Sequence, residues 1–376
     1  MDIPRYLEQW QSKRVVLVVS KALETNTSYI SDLEAKLGTL IVGKQSGVGA
    51  HSPYKDVVSI AHLLQDKDAD CLVCIGSSSY NDACKIASKL HATLPPGFTA
   101  EDMEALVDQT RGVGFLKPAT IRLMLLPTSL SAAEWNATGS CTNSSGKKQH
   151  FGLGNHLTGA ANLLLWDPEL ASTAPETLWL SSGVRCIDHC VETMAHKDCT
   201  PEASKDAEAG LADMIKGLQK YHEGKGTDRT EFLRGISASQ KGSREAIKGL
   251  IVRRSPFGPS HAIGHQLGSV AGVMHGHTSC VILGSVLKFS KSKTQQAQAR
   301  ILEIFNETLG WQETEAADAF VKFVKTLGLP TTLREVGLTD DGMIRKVAEK
   351  TMTDIWGGRE AQISVDEVMQ ILDMAR

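Results

Sequence analysis

An α/β half built on a parallel sheet, followed by an all-helical half, is the fold class this sequence predicts. Three observations predict it. Short β-rich runs alternate with helical patterns over the first 172 residues, and strands separated by helices imply a parallel sheet covered on both faces. Beyond Pro175, apolar residues recur at helical spacing and few strand signals remain. The 376 residues also suffice for two cores of roughly 150 residues each. The expected domains are 1–172 and 173–376.

The elements follow in order. "RVVLVVS" (Arg14–Ser20) reads as the first strand, with a helix near Tyr29–Leu37 and a second strand at "TLIVG" (Thr39–Gly43). A helical pattern at Pro53–Gln65 precedes "DCLVCIG" (Asp70–Gly76), and the serines after it open a helix over about Asn81–Leu90. "IRLMLLPTS" (Ile121–Ser129) and "ANLLLWDPEL" (Ala161–Leu170) supply two more strands. In the second half, "SREAIKGLIVRR", "AQARILEIFNETLG" and "DAFVKFVKTLGL" carry helical spacing, and "GKGTD" (Gly224–Asp228) is a loop between helices.

Composition excludes several roles. A formal charge of −3 argues against a general nucleic-acid binder, which needs a basic face. No apolar run approaches the roughly 18 residues of a membrane span, and "MDIPRYLEQWQSKR" is no secretory signal. Eight cysteines over this length make no disulfide framework, and "CLVC" (Cys71–Cys74) lies in an apolar run that reads as a buried strand. A cytoplasmic, reduced protein acting on a small molecule is expected.

Two loops are candidates for a nucleotide. "IGSSSYNDACK" (Ile75–Lys85) follows a strand and opens a helix, where free N–H groups and the helix dipole favour a pyrophosphate. Glycine normally dominates such loops so that the backbone can approach the phosphates, but here Gly76 is followed by Ser77, Ser78 and Ser79. The alternative is a serine-capped helix that binds nothing. "LPTSLSAAEWN" (Leu126–Asn136) also follows a strand end and carries Thr128, Ser129 and Ser131. Loops at carboxyl ends of parallel strands share one crevice, which favours the nucleotide.

The second concentration of chemistry is "GPSHAIGHQLGSVAGVMHGHTS" (Gly258–Ser279). It packs four of the twelve histidines, His261, His265, His275 and His277, into a short span. His261 and His265 stand one helical turn apart, as do Arg185 and His189 in "SSGVRCIDHCVE" (Ser181–Glu192). A lone histidine on an apolar helix is usually packed and hydrogen-bonded; several converging ones imply a purpose, because burying titratable groups is costly.

These motifs carry a resemblance. "HAIGHQLGSVAGVMHG", with His at its first, fifth and fifteenth positions, resembles the signature of the iron-containing alcohol dehydrogenase family. "PTSLSAAE", "WDPEL", "SSGVRCIDHCVE" and "GHTSCVIL" resemble its maleylacetate-reductase-like branch more closely. The resemblance runs from about Arg14 to the C-terminus. It implies a dehydroquinate-synthase-like fold, in which a Rossmann-like dinucleotide domain packs on a helical domain with the reaction in the cleft, and it implies a homodimer. The family's metal ligands, an Asp, a His four residues on and two His fourteen apart, fall on Arg185, His189, His261 and His275. His265 falls on the proton-relay position.

The departures matter as much. Arg185 stands where the metal-dependent members have their aspartate ligand. His189, His261 and His275 alone could still hold Zn²⁺ or Fe²⁺, but a guanidinium about 4 Å from a cation costs several kcal/mol even at an effective dielectric near 20. Asp188, the neighbour of His189, is expected to point about 100° around the helix. Maleylacetate reductases as a group lack the aspartate too, and act on an anionic substrate without depending on a metal. Arg185 is therefore expected to supply the positive charge itself, unless it merely pairs with Asp188 or Glu192 on the helix surface. The family's GGGS, Asp and Lys fall on Gly76-Ser77-Ser78-Ser79, Asp82 and Lys85, with two glycines replaced by serine. The NAD-selecting aspartate falls near Ser20, beside Lys21, so a 2′-phosphate is not repelled and NADPH is weakly favoured over NADH. The β-hairpin that precedes the family's first strand is not expected ahead of Arg14.

The resulting expectation is an NAD(P)H-dependent reductase delivering hydride to a carbonyl or conjugated double bond of a small, acidic substrate. The pyrophosphate would lie over Ser77–Ser79 and the nicotinamide across Thr128, Ser129 and Leu130. His265 would move the proton, since an imidazole titrates near working pH. Arg185, His189, His261 and His275 would wall the substrate pocket. Two other readings stay open: a Zn- or Fe-dependent alcohol dehydrogenase, and a scaffold repurposed for a non-redox lyase or cyclase step.

Overall fold

The computed structural model describes residues 2–109, 113–152, 161–358 and 362–376. It divides into two compact units, Met1–Ala174 and Pro175–Arg376.

The first unit begins with helix α1 (Ile3–Trp10), then β1 (Val15–Val19), α2 (Lys21–Asn26), α3 (Tyr29–Leu37), β2 (Ile41–Ser46) and α4 (Tyr54–Asp66). It continues with β3 (Cys71–Gly76), α5 (Ser78–Thr93), α6 (Ala100–Gln109), β4 (Val113–Phe115), β5 (Arg122–Pro127), β6 (Thr138–Thr142), β7 (Lys148–Gly152), β8 (Leu163–Leu164) and α7 (Pro168–Ala171). Five strands form a sheet in the order β2-β1-β3-β5-β8, with every pairing parallel. Strand side chains alternate between faces. Val16, Val18, Leu72, Cys74, Leu123 and Leu125 pack on one face with Ile60 and Leu64 of α4 and Ile86 of α5. Val15, Leu17, Val19, Val73, Ile75, Met124 and Leu126 pack on the other with Ile3, Leu7, Ile30 and Leu33. Each such buried side chain contributes about 1.5–3 kcal/mol, which is why continuous apolar runs mark these strands. Cys71 and Cys74 fall on opposite faces, so their spacing makes no thiol pair.

Three local differences from the sequence reading have simple causes. The helix after β3 starts at Ser78, inside the serine run, because Ser77 already takes the extended N-cap conformation. The run from Ala161 gives only the two-residue β8, since Pro168 and the Asp167 side chain, which accepts the Leu170 N–H, start α7. An antiparallel pair, β6 and β7, with β4 beside β7, makes a second sheet. Its turn is set by Asn143, whose side-chain oxygen accepts the N–H groups of Ser145 and Lys147, and by Gly146 at φ +79°.

The second unit is helical: α8 (Glu176–Ala195), α9 (Pro201–Gly224), α10 (Arg229–Ile251), α11 (Pro259–Ser269), α12 (His275–Ser290), α13 (Gln295–Leu309), α14 (Ala316–Thr326), α15 (Asp341–Thr351) and α16 (Val365–Met374). Helix α8 is buried continuously from Trp179 to Met194, so none of its faces meets solvent there. The α9–α10 pair beside it packs backbone against backbone. A Cβ on Gly217 would lie 2.6 Å from the Ser239 nitrogen, and one on Gly235 2.5 Å from that of Tyr221. Asp228 caps α10 by accepting the N–H groups of Thr230 and Glu231, which ends the Gly224–Asp228 loop.

Candidate active site

In the first unit, the candidate groups gather at the carboxyl ends of β1, β3 and β5. The Ser20 N–H donates to the Ile75 carbonyl (2.8 Å) and the Thr128 N–H to that of Gly76 (3.0 Å), so the three strand ends are tied together. The two hydroxyl-rich loops meet, because the Ser78 N–H donates to Ser129 Oγ at 3.3 Å, and Ser129 Oγ lies 3.2 Å from Ser131 Oγ. Thr128, Ser129 and Leu130 are buried, while Ser77, Ser78 and Ser79 are half-buried at the first turn of α5. Ser79 is engaged from the other side, accepting the His51 N–H on its hydroxyl and the Ser52 hydroxyl on its carbonyl. A helix of this length with hydroxyls at its start offers the N–H groups and O–H donors that a pyrophosphate requires. The donor set fits a dinucleotide.

Asp82 and Lys85 serve this loop from behind. The Lys85 ammonium is fully buried and donates to the carbonyls of Ala133 (2.6 Å), Asn136 (3.1 Å) and Thr138 (2.8 Å) while pairing with Asp82 at 2.9 Å. Asp82 in turn accepts the N–H and hydroxyl of Ser140. All three donors of the ammonium are thus used within the fold, where they fix the turn after β5.

Glu134 in that same turn gives a pH test. It is 3% exposed, and burial pushes its carboxyl from 4.5 up to about 7, against weaker opposing pulls from its own backbone N–H and from Lys85. A folded-state pKa above the unfolded one means that the folded protein holds this proton more tightly. Its contribution is therefore intact below about pH 4.5 and is lost as pH rises through about 7. The loss is on the order of 3 kcal/mol. Denaturant unfolding of wild type is expected to weaken by that order between pH 5 and pH 8 relative to Glu134→Gln. Parallel pH profiles for the two proteins would show that Glu134 is solvated.

In the second unit, α8, α11 and α12 bring together side chains that are distant in sequence. Arg185, Asp188, His189 and Glu192 lie along α8, and all are buried, as is His261. Gly264 permits the approach of the guanidinium, since a Cβ there would sit 3.1 Å from Arg185 Nη1 and 3.0 Å from Thr278 Oγ1. Arg185 Nη1 donates to Ser279 Oγ (3.0 Å) and Thr278 Oγ1 (3.4 Å) and lies 3.8 Å from Asp188 Oδ2. That same Asp188 oxygen accepts the hydroxyls of Ser260 (2.9 Å) and Ser279 (2.5 Å). Glu192 accepts the N–H groups of Gly258 (2.9 Å) and Ser260 (2.6 Å), and its Oε2 lies 2.5 Å from His261 Nδ1. Phe257 stacks on both imidazoles, 4.7 Å from His189 and 4.0 Å from His261.

Burial, then the Arg185 charge, hold His189 and His261 well below the ordinary imidazole pKa, so both rings are neutral. Burial raises Asp188 and Glu192, and for Glu192 the neighbouring Asp188 adds to the effect. Burial also lowers the Arg185 pKa, while Asp188 and Glu192 oppose it; guanidinium stays charged in proteins. One permanent cation thus sits against two carboxyl groups. Among the described residues, no group satisfies the buried polar atoms His261 Nε2, His189 Nδ1 and Asp188 Oδ1.

His265 and His275 differ from that core. His265 is half-buried, and its Nδ1 lies 3.1 Å from Asp354 Oδ2; its ring stands edge-on to His261 at 6.4 Å. His275 is exposed at the first position of α12, and its charge helps to lower the His261 pKa. His277 is half-buried, with its pKa lowered by burial.

The structure therefore joins Arg185, His189, His261 and His265, buries with them the Asp188 and Glu192 that the sequence reading offers only as surface partners of Arg185, and adds Asp354. Asp188 was expected to turn away, yet it contacts Arg185, because a helix buried all round has no outer face to turn to. Asp188 and Glu192 stand one turn apart, a spacing that could have flagged them. Asp354 has no local signal, lying 89 residues from its partner. Arg185 is not on the surface: it is buried, and its Nη1 is committed to Ser279, Thr278 and Asp188. Among the described residues, Asp188, Glu192 and His261 form the one group of three close enough to hold a metal ion, with one atom from each within 4.8 Å of the others.

A parallel sheet with hydroxyl-rich loops at its strand ends, and a helical unit with a buried cluster of neutral imidazoles around a fixed cation, are features of an enzyme of the nucleotide-dependent class. Comparison with known proteins gives the family. Residues 1–168 match the iron-containing alcohol dehydrogenase model, and residues 179–376 match the C-terminal model of the Fe-containing alcohol dehydrogenase family. The chain belongs to the iron-containing alcohol dehydrogenase family. It is 31% identical to dehydrogenase ALT3 of Alternaria alternata, over 97% of this chain and 99% of that protein. It is 28% identical to dehydrogenase FUM7 of Gibberella moniliformis, over 97% of this chain and 91% of that protein. The crystal structure of maleylacetate reductase from Agrobacterium tumefaciens has the same fold, with a TM-score of 0.76 at 18% identity, covering 100% of this chain and 92% of that one. No described helix is long and apolar enough to cross a membrane.

Proposed function

We propose that the protein is an NAD(P)H-dependent reductase that transfers hydride to a carbonyl or conjugated double bond of a small substrate without a divalent metal. The observation that carries the metal-free part is the burial of Arg185 among His189, His261, Asp188 and Glu192. The guanidinium already opposes positive charge on both imidazoles, and a dication would meet twice the repulsion. The alternative carboxylate set is largely engaged, since Glu192 holds two N–H groups and His261, and Asp188 Oδ2 holds two hydroxyls, which leaves Asp188 Oδ1 and His261 Nε2 as its open donors among the described residues. A divalent ion in either set would have to sit beside the guanidinium or displace these hydrogen bonds.

Ser77, Ser78 and Ser79 would hold the pyrophosphate, and Thr128, Ser129 and Leu130 the nicotinamide, with Gly76, Asp82 and Lys85 keeping the two loops in register. The bound nicotinamide supplies the hydride. His265 supplies or removes the proton, while neutral His189 and His261 and the Arg185 cation polarise the substrate oxygen. An acidic substrate is less well supported than the sequence suggested, because a carboxylate near Arg185 would also meet Asp188 and Glu192; an uncharged carbonyl brings no full negative charge to them when it binds. NADPH is favoured over NADH, since Ser20 and Lys21 bring no acid to the end of β1 and Glu24 is paired with Lys44 at 2.7 Å. Calorimetric titration is expected to give micromolar binding of NADPH and weaker binding of NADH, with no stoichiometric metal by mass spectrometry. Absence of binding at millimolar cofactor would favour a non-redox lyase or cyclase; stoichiometric Zn or Fe would favour a metal-dependent alcohol dehydrogenase.

A further inference from the structure

We propose that Asp354 is a positioning residue for the reaction, fixing His265 in the tautomer with its proton on Nδ1, so that Nε2 is the nitrogen that exchanges a proton with substrate. The inference rests on the reading of His265 as the proton carrier. A carboxylate only accepts hydrogen bonds, so the 3.1 Å approach of Asp354 Oδ2 to Nδ1 requires Nδ1 to be the donor. Neutral imidazole has one N–H, which leaves the Nε2 lone pair as the base; once Nε2 is protonated, the same carboxylate stabilises the imidazolium.

Asp354 is itself held in place. It accepts Gln266 Nε2 at 3.0 Å and the Trp356 N–H at 3.0 Å, and its side chain is 7% exposed against 28% for His265. Burial works against its charge, yet the His265 hydrogen bond, the Trp356 N–H and Gln266 keep the carboxyl below its ordinary value. The turn that carries it is pinned at both ends. On one side it doubles back on the end of α15, where a Cβ on Gly357 would collide with the Thr351 carbonyl oxygen and one on Gly358 with that of Met352. On the other, Trp356 sets its ring edge-on to Phe257 at 5.9 Å, and Phe257 stacks on His261. Such a turn delivers one carboxylate to one imidazole.

The test reads the tautomer and the rate separately. In long-range ¹H–¹⁵N spectra of histidine-labelled protein, with His265 assigned by its loss in His265→Gln, wild type is expected to show the Nδ1–H form and Asp354→Asn to lose that preference. In the same variant kcat is expected to fall about 10- to 100-fold, as when the partner of a functional histidine is removed, with the NADPH Kd within about twofold. Asp354→Glu should recover most of that loss. An Nε2–H signal in wild type overturns the proposal, and so does an Asp354→Asn kcat within about threefold of wild type (less than the smallest loss expected). If Asp354→Asn does not fold, the wild-type tautomer and the Asp354→Glu rate decide. If wild type reduces no carbonyl at all, the reading of His265 as proton carrier falls, while the spectra still show whether Asp354 sets its tautomer.

Discussion

On the metal-free reading proposed above, Arg185→Asp is expected to give a protein that needs a divalent cation to keep its helical unit folded, where wild type does not. The substitution removes the permanent charge that faces Asp188 and Glu192 and adds a third buried carboxyl beside them. Breaking a buried pair by deleting one partner costs about 3–5 kcal/mol, and Arg185→Met should show that loss alone. Aspartate at this position also restores an oxygen donor near His189 and His261, so Zn²⁺ or Fe²⁺ can recover stability by mass action. Thermal melting with and without EDTA, together with metal content by mass spectrometry, checks this. An Arg185→Asp protein that melts like wild type in EDTA would mean that the carboxyl groups are already neutral and the guanidinium is not their counter-charge.

For His265→Gln the expected result is a fall in kcat of about 10²- to 10⁴-fold, the usual worth of a positioned acid or base. Glutamine retains hydrogen-bonding ability toward Asp354 but cannot carry a proton at neutral pH, so cofactor affinity and melting temperature should change little. Steady-state kinetics and cofactor titration separate the two effects. A parallel loss in Kd and kcat would assign His265 to binding instead. The contrast with His261 is useful: its Nδ1 is bound to Glu192 inside the cluster, so deleting it should weaken the fold as well as the rate.

The sequence made much of this legible, for physical reasons. Val15–Val19, Cys71–Ile75 and Leu123–Leu126 are continuous apolar runs because both faces of a parallel sheet are covered. His261 and His265, one turn apart on α11, could be placed on one helix face from spacing alone. The β6–β7 hairpin was missed because its strands, "TGSCT" and "KQHFG", are mostly polar and carry little periodic signal. Asp188 was misjudged because helical geometry gives an angle, not a neighbour. A helix with a solvent face would have turned that side chain outward; α8 has no such face over Trp179–Met194.

What the chain alone determined is the division into a sheet unit and a helical unit, the hydroxyl-rich ends of β3 and β5, and the identity of the histidines and the arginine that replaces an acid. These are one-dimensional properties: periodicity, residue type and spacing. Only the tertiary structure decided that Arg185 spends its charge on Asp188 and two hydroxyls, that Glu192 holds His261, and that Asp354 reaches His265 from 89 residues away. Those facts depend on which buried groups end up without water. Once desolvated, a charge must find its partner among whatever side chains the packing brings near, and sequence separation places no limit on which those are.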